Sequence, residues 1–181
     1  KSQKKRGDWT EGLSVQEFLD QEYLLFVGDV GSFDPRGKEI VRAVALLLDH
    51  LGVSFGILGR QEVSDGNEAN ALGETELFEH LAQKNIHTFS SLGVQKILTI
   101  SPHSYNALRN DYPSQGATFQ VVHYTHLVAE RIGGSDLAQT QPHQPVHKVT
   151  FHDPCYLGRH NDEYQSARHI LEALPWVELT E

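Results

Sequence analysis

Residues 22–28 read Glu-Tyr-Leu-Leu-Phe-Val-Gly, a short apolar run closed by glycine, and reading it as a buried strand organises the rest of the chain. Downstream, Ile40, Val44, Leu47, Leu48 and Leu51 recur at helical spacing. Pro35 sits in the first turn of that helix, where a missing N–H costs nothing, and Gly52 stops it. Val53–Leu58 reads as the next strand. Glu68–Asn85 reads as an amphipathic helix with Leu72, Leu77, Phe78 and Leu81 on its apolar stripe. A short helix over His87–Leu92 and a third strand over Val94–Ile100 follow.

The alternation continues to the end. Pro102–Tyr112 is expected to be helical, Thr118–His123 a strand and Thr125–Ile132 a helix. Residues 133–146 hold Gly-Gly, three Gln and two Pro, the composition of a linker. Lys148–Phe151 opens a new strand, Asp162–Leu174 is a helix closed by Pro175, and Val177–Thr180 is the last strand. Strands alternating with helices predict an α/β fold with a mostly parallel sheet covered by helices on both faces. Four segments follow: a tail or linker over 1–20, an α/β repeat over 21–133, a linker over 134–146, and the start of a similar second repeat over 147–181. Right-handed crossovers gather the loops that follow the strands on one edge, where α/β ligand sites lie.

Composition narrows the function. A net charge of −9 across 181 residues argues against nucleic acid, whose phosphates require clustered Lys and Arg. The one basic cluster, Lys1, Lys4, Lys5 and Arg6, reads as a solvated tail. No apolar run is long enough to cross a bilayer, and no signal peptide is visible. The absence of Met leads us to expect further sequence upstream. A single cysteine excludes an internal disulfide and fits a reducing compartment, so a cytoplasmic location is expected.

Five positions on the predicted loops share a recognisable frame: Asp29, the adjacent Val63 and Ser64, and Ser101 and Ser104, with gaps of 33, 36 and 2 residues. Around them stand Val27-Gly28-Asp29-Val30-Gly31-Ser32-Phe33-Asp34 and Ser101-Pro102-His103-Ser104-Tyr105-Asn106. Further on comes Phe151-His152-Asp153-Pro154-Cys155-Tyr156-Leu157-Gly158-Arg159-His160-Asn161. Together these resemble the cysteine-rich "CCG" domain of heterodisulfide-reductase-like iron–sulfur oxidoreductases, over roughly residues 20–181. In that family the five positions are cysteines, and here none is. Cys155 matches the first ligand of a second copy, whose next cysteines would fall beyond Glu181.

The resemblance implies a fragment of an iron–sulfur protein that passes electrons to a quinone, flavoprotein or disulfide acceptor. It would act within a complex of other subunits or domains, placed at the inner face of a membrane by an upstream segment. The cofactor implied for the parent protein is a [4Fe–4S] cluster. Such clusters need soft, anionic thiolates. Ser and Asp offer hard oxygen and Val offers nothing, so no cluster is expected in the first repeat, which would instead be a scaffold that docks the second repeat or a partner subunit. A third reading is a small-molecule pocket at the vacated edge, lined by Asp29, Ser64, Ser101 and His103.

Other candidates are weaker. His103, His123, His126, His143, His147, His152 and His160 form no i, i+4 pair on a helix and no ligand triad, and read as loop and core-edge histidines. His103 and Asn106, like His152 and Asp153 before Pro154, read as groups that brace turns. Gly28-x-x-Gly31 lacks the dinucleotide fingerprint, and Asp29 would place negative charge where phosphate must lie. No G-x-S-x-G elbow surrounds Ser32, Ser101 or Ser104, which leaves no serine nucleophile and no catalytic residue to name.

Overall fold

The computed structural model describes residues 3–139 and 145–180. The chain forms two compact units, Lys1–His123 and Tyr124–Glu181.

In the first unit, β1 (Tyr23–Phe26), β2 (Phe55–Gly56), β3 (Lys96–Thr99) and β4 (Gln120–His123) make one parallel sheet in the order β2-β1-β3-β4. β1 is buried at all four residues, as an uninterrupted apolar run requires of a central strand. The chain steps outward from β1 to β2, then back across β1 to β3. With right-handed crossovers, that reversal places the intervening helices on opposite faces. These helices are α2 (Pro35–His50), then α3 (Asn67–Ala71) and α4 (Thr75–Ser91). Leu24, Phe26 and Ile97 pack with Phe78, Ala82 and Phe89 of α4 in one core cluster, joined by Leu108 and Tyr112. The alternate residues Leu25 and Leu98 are equally buried and point to the other face. The fold is the α/β parallel sheet flanked by helices that the sequence predicts.

Several boundaries differ. A short helix, α1 (Gly28–Phe33), starts directly after β1, so Asp29 lies in its first turn rather than on a loop. α1 packs tightly on α2: a Cβ at Gly37 would sit 2.4 Å from the Val30 carbonyl oxygen. That contact sets the rotation of α2, which buries Val41, Val44, Ala45 and Leu48 and leaves Ile40 53% exposed. Replacing Gly37 by Ala is therefore expected to cost about 1–3 kcal/mol through overpacking. A urea midpoint equal to the parent's would refute that contact. The expected helix over 68–85 is broken at Gly73, whose φ of +80° favours glycine, and α4 then runs unbroken to Ser91. The expected strand over 53–58 shortens to Phe55–Gly56. The helix expected over 102–112 is α5 (Pro102–Asn106), followed by a wider turn over Ala107–Asp111 and a tight one over Tyr112–Gln115.

The larger correction concerns residues 1–20, expected as a tail. Trp9 is 2% exposed and Phe18 6%. Glu17 bridges Ile57 in parallel fashion, with hydrogen bonds on both sides, and so extends the sheet beyond β2. Arg42 donates through Nη1 to the carbonyls of Trp9 and Glu11. Lys4 and Lys5 are exposed, while Arg6 is buried; Lys1 lies outside the described residues. The segment folds onto the sheet because its aromatics have apolar surface to cover.

The second unit contains α6 (Tyr124–Ile132), α7 (Asp136–Gln139), β5 (His147–Val149), α8 (Gly158–Asn161), α9 (Gln165–Glu172) and β6 (Val177–Leu179). β5 and β6 pair in parallel with α8 and α9 between them, a βαβ unit. α6 packs on α9 and His126 lies 2.8 Å from Glu163, so α6 goes with this unit rather than with the first repeat ending at 133. Residues 140–144, including His143 and part of the expected linker, lie outside the described residues.

Candidate functional site: a rim without thiols

β1 lies between β2 and β3, and the chain leaves its end and that of β3 in different directions. This is the switch point at which open α/β sheets hold ligands. The three connections that should carry a cluster meet there. Gly28, with φ +74°, turns the chain from β1 into α1, and a Cβ on it would sit 3.5 Å from Ser104 Oγ. Residues 62–65 arrive after β2, and Ser101–Ser104 after β3.

The five frame positions do not offer a common set of donors. Asp29 faces Arg6 and is about half exposed. Val63 and Ser64 are half-buried, and Ser64 Oγ accepts from Gly66 N–H at 3.3 Å. Ser101 caps α5, its Oγ accepting from Ser104 N–H at 3.3 Å. Ser104 is buried and donates to a carboxylate, Asp65. Of the bracing groups, Asn106 is buried and accepts from Asn110 at 3.0 Å. His103 is exposed, with Nδ1 3.4 Å from the Asn67 amide and 3.7 Å from Glu68.

What holds the rim together are two carboxylates that flank the Val63–Ser64 pair and that sequence reading passed over. Glu62 is 2% exposed and accepts from the N–H groups of Val27 and Gly28, both at 2.9 Å. It also pairs with Arg6 Nη1 at 2.9 Å. Burial pushes its carboxyl up from the ordinary 4.5 to about 7, against the opposing pull of the two amides and Arg6. Asp65 accepts from Ser104 Oγ and, at 2.8 Å, from Asn67 N–H, and burial raises its carboxyl as well. Tyr112 donates to the Asp65 carbonyl at 3.0 Å and accepts from Asn85, which also reaches the Ser64 carbonyl. Glu62 thus ties the β2 loop to the first turn of α1, and Asp65 ties it to α5.

Arg6 completes the arrangement. It is 4% exposed, with one terminal nitrogen on Glu62 and 3.4 Å from Ser32 Oγ, the other on Asp29, and its guanidinium over the Phe33 ring at 5.0 Å. Oxygen donors engaged with one another and with an arginine do not suit an iron–sulfur cluster, which requires free thiolates.

In the second unit, Cys155 is an exposed thiol on the turn after β5, followed by α8. Asp153 forms a two-pronged pair with Arg168 at 2.7 and 2.9 Å, which holds its carboxyl below the ordinary range. His152 is exposed. Asn161 donates to the Tyr156 carbonyl at 2.6 Å, closing the turn that carries Cys155. His123 lies in the first unit, buried, with Nε2 2.9 Å from the Ile100 carbonyl and its ring edge-on to Tyr105. Among the described residues no three His, Cys, Asp or Glu side chains are arranged to hold a metal ion. No helix among them is long and apolar enough to cross a membrane.

Comparison with known proteins agrees with this frame. The probable iron-sulfur-binding oxidoreductase FadF of Bacillus subtilis is 46% identical over 167 residues, covering 92% of this chain and 23% of its own length. The EtfAB:quinone oxidoreductase of Syntrophomonas wolfei is 38% identical over 177 residues, covering 93% of the chain and 24% of its own. A component of the dihydromethanophenazine:CoB–CoM heterodisulfide reductase of Methanosarcina mazei is 28% identical over 188 residues, 100% of the chain and 44% of the relative. The chain thus spans about a quarter of the length of the first two relatives. No solved structure matches it. The CCG cysteine-rich domain matches residues 31–109 and 149–181, more than half of the chain, and the chain belongs to that family.

Proposed function

We propose that this chain is the cysteine-rich part of an iron–sulfur oxidoreductase in which the first repeat is a metal-free scaffold and the second carries the redox centre. The observation that supports this reading is the rim itself. Glu62 and Asp65 join the three loops that a cluster would otherwise join, and the ligand positions between and beside them carry no thiolate. Cys155 would be the first thiolate of a [4Fe–4S] cluster in the second repeat, completed by cysteines of a longer chain, with Asp153, His152 and Asn161 bracing its turn. In such a protein electrons would pass through the second repeat, at the cytoplasmic face, to a quinone, flavoprotein or disulfide acceptor. The first repeat would hold the other subunits or domains in place.

Iron and acid-labile sulfide, measured anaerobically on this chain and on a longer protein containing it, test the reading. The chain alone is expected to carry far less than one cluster. In the longer protein, Cys155→Ser should remove a cluster while Ser104→Ala leaves the iron content unchanged. A stoichiometric cluster on the chain as it stands would sink the proposal.

A further inference from the structure

We propose that the vacated rim has become a guanidinium-recognition site whose ligand is supplied in cis, by Arg6 of the segment Gln3–Glu11. Several features of such a site are present, although the buried Arg6 Nε has no hydrogen-bond partner among the described residues. A planar cation with donors on two sides meets a buried carboxylate, Glu62, on one nitrogen and a second carboxylate, Asp29, on the other. Ser32 Oγ lies at 3.4 Å and the Phe33 ring supplies an aromatic face 5.0 Å from Cζ. Ser32 itself is fully buried and Glu62 is 2% exposed, so the cradle is made within the fold and not on its surface.

The segment that delivers the cation is fastened on both sides of it. Gln3 Nε2 donates to the Arg60 carbonyl at 2.8 Å and to that of Glu62, Trp9 is buried, and Arg42 bonds the Trp9 and Glu11 carbonyls. Anything joined upstream of Gln3 is thereby anchored to the rim of the first repeat. Lysine cannot replace arginine here, because a single ammonium cannot span both carboxylates while lying flat on Phe33.

This inference rests on the metal-free reading of the first repeat, and chemical rescue tests it separately. In the full chain, Arg6→Ala vacates the cradle. Its melting temperature at about pH 8 is expected to fall by roughly 6–20 °C. Methylguanidinium should recover most of that loss, methylammonium at the same concentration should not, and neither should raise the parent chain. If Arg6→Ala folds, equal effects of the two cations, or no recovery by methylguanidinium, would overturn the site. If Arg6→Ala does not fold even with methylguanidinium, Arg6→Lys decides. Melting clearly below the parent supports guanidinium recognition, and melting with the parent reduces the site to simple charge pairing. A cluster found on the unaltered chain would refute the metal-free reading, whereas failed rescue on an iron-free chain would refute only the arginine site.

Discussion

Replacing Arg6 by Ala is expected to destabilise the first unit by about 3–5 kcal/mol at pH 8, the range for leaving one member of a buried ion pair without its partner. Only the Glu62 half of the pairing enters that figure, because Asp29 is half exposed and its share is screened by solvent. The cost should shrink at about pH 5, and the sign follows from Glu62. Its carboxyl ionises near 4.5 in the unfolded chain and near 7 in the folded one, so between those values the folded state holds a proton that the unfolded state has released. Stability from this group is complete below about 4.5 and declines as pH rises through about 7. Removing Arg6 removes a pull that favours the carboxylate, so the folded value climbs further. At pH 8 the variant must bury an unpaired charge or take up a proton from dilute solution, and at pH 5 the proton is already there. Denaturant unfolding of both chains at the two pH values reads the difference. An equal loss at both, or a loss under about 1 kcal/mol at pH 8, contradicts the role given to the pair.

Glu62→Gln separates the carboxylate from the arginine. The amide cannot ionise and keeps one acceptor oxygen. It therefore serves only one of the Val27 and Gly28 N–H groups, which in the parent bond separate carboxylate oxygens, and some overall loss of stability is expected at every pH. The decline in stability between about pH 5 and 8 should flatten in this variant if Glu62 causes it. A decline that survives unchanged assigns it to other groups. Asp65, whose carboxyl burial also raises, is the first to consider.

How much of this was legible in the sequence depends on how far apart the interacting residues lie. β1 could be read because four consecutive buried residues are apolar, a property of the strand alone. The meeting of residues 29, 63–64 and 101–104 was legible through topology, since right-handed crossovers leave one edge for the loops. The rotation of α2 was not: both Ile40 and Val41 satisfy helical spacing, and only the close approach of α1 at Gly37 chooses Val41. α1 itself escaped notice because Gly28 and Gly31 within six residues argue against a helix, although close packing on α2 overrides that propensity. Arg6 was illegible for a simpler reason. Its partners are 23 and 56 residues away, and local pattern carries no information on such pairs. A hint did exist: Trp9 and Phe18 in a segment read as a tail are costly to leave in water. Two acids immediately flanking the Val63–Ser64 pair were a second hint, since loops without thiols at those positions still have to be joined.

A chain beginning at residue 21 is expected not to fold its first unit at all. The deleted segment supplies two aromatics, Trp9 and Phe18, each buried to within a few per cent. Removing a large buried aromatic side chain typically costs about 3–5 kcal/mol. It also supplies Arg6, whose loss leaves Glu62 buried and unpaired, and residues 16–18, whose backbone bonds to Ile57 cover the open side of a two-residue edge strand. Together these losses match or exceed the whole stability of an ordinary domain, about 5–15 kcal/mol. The shortened chain should therefore lack the first unit's cooperative denaturant transition and its share of the near-ultraviolet signal, while Lys5→Ala, at an exposed position between the same anchors, should melt with the parent. The contrast is decisive because a solvated tail and an integral strap predict opposite results from the same deletion. If residues 21–181 unfold cooperatively at the parent's midpoint, the strap contributes nothing, and the buried arginine is an ornament of the rim and not the group that closes it.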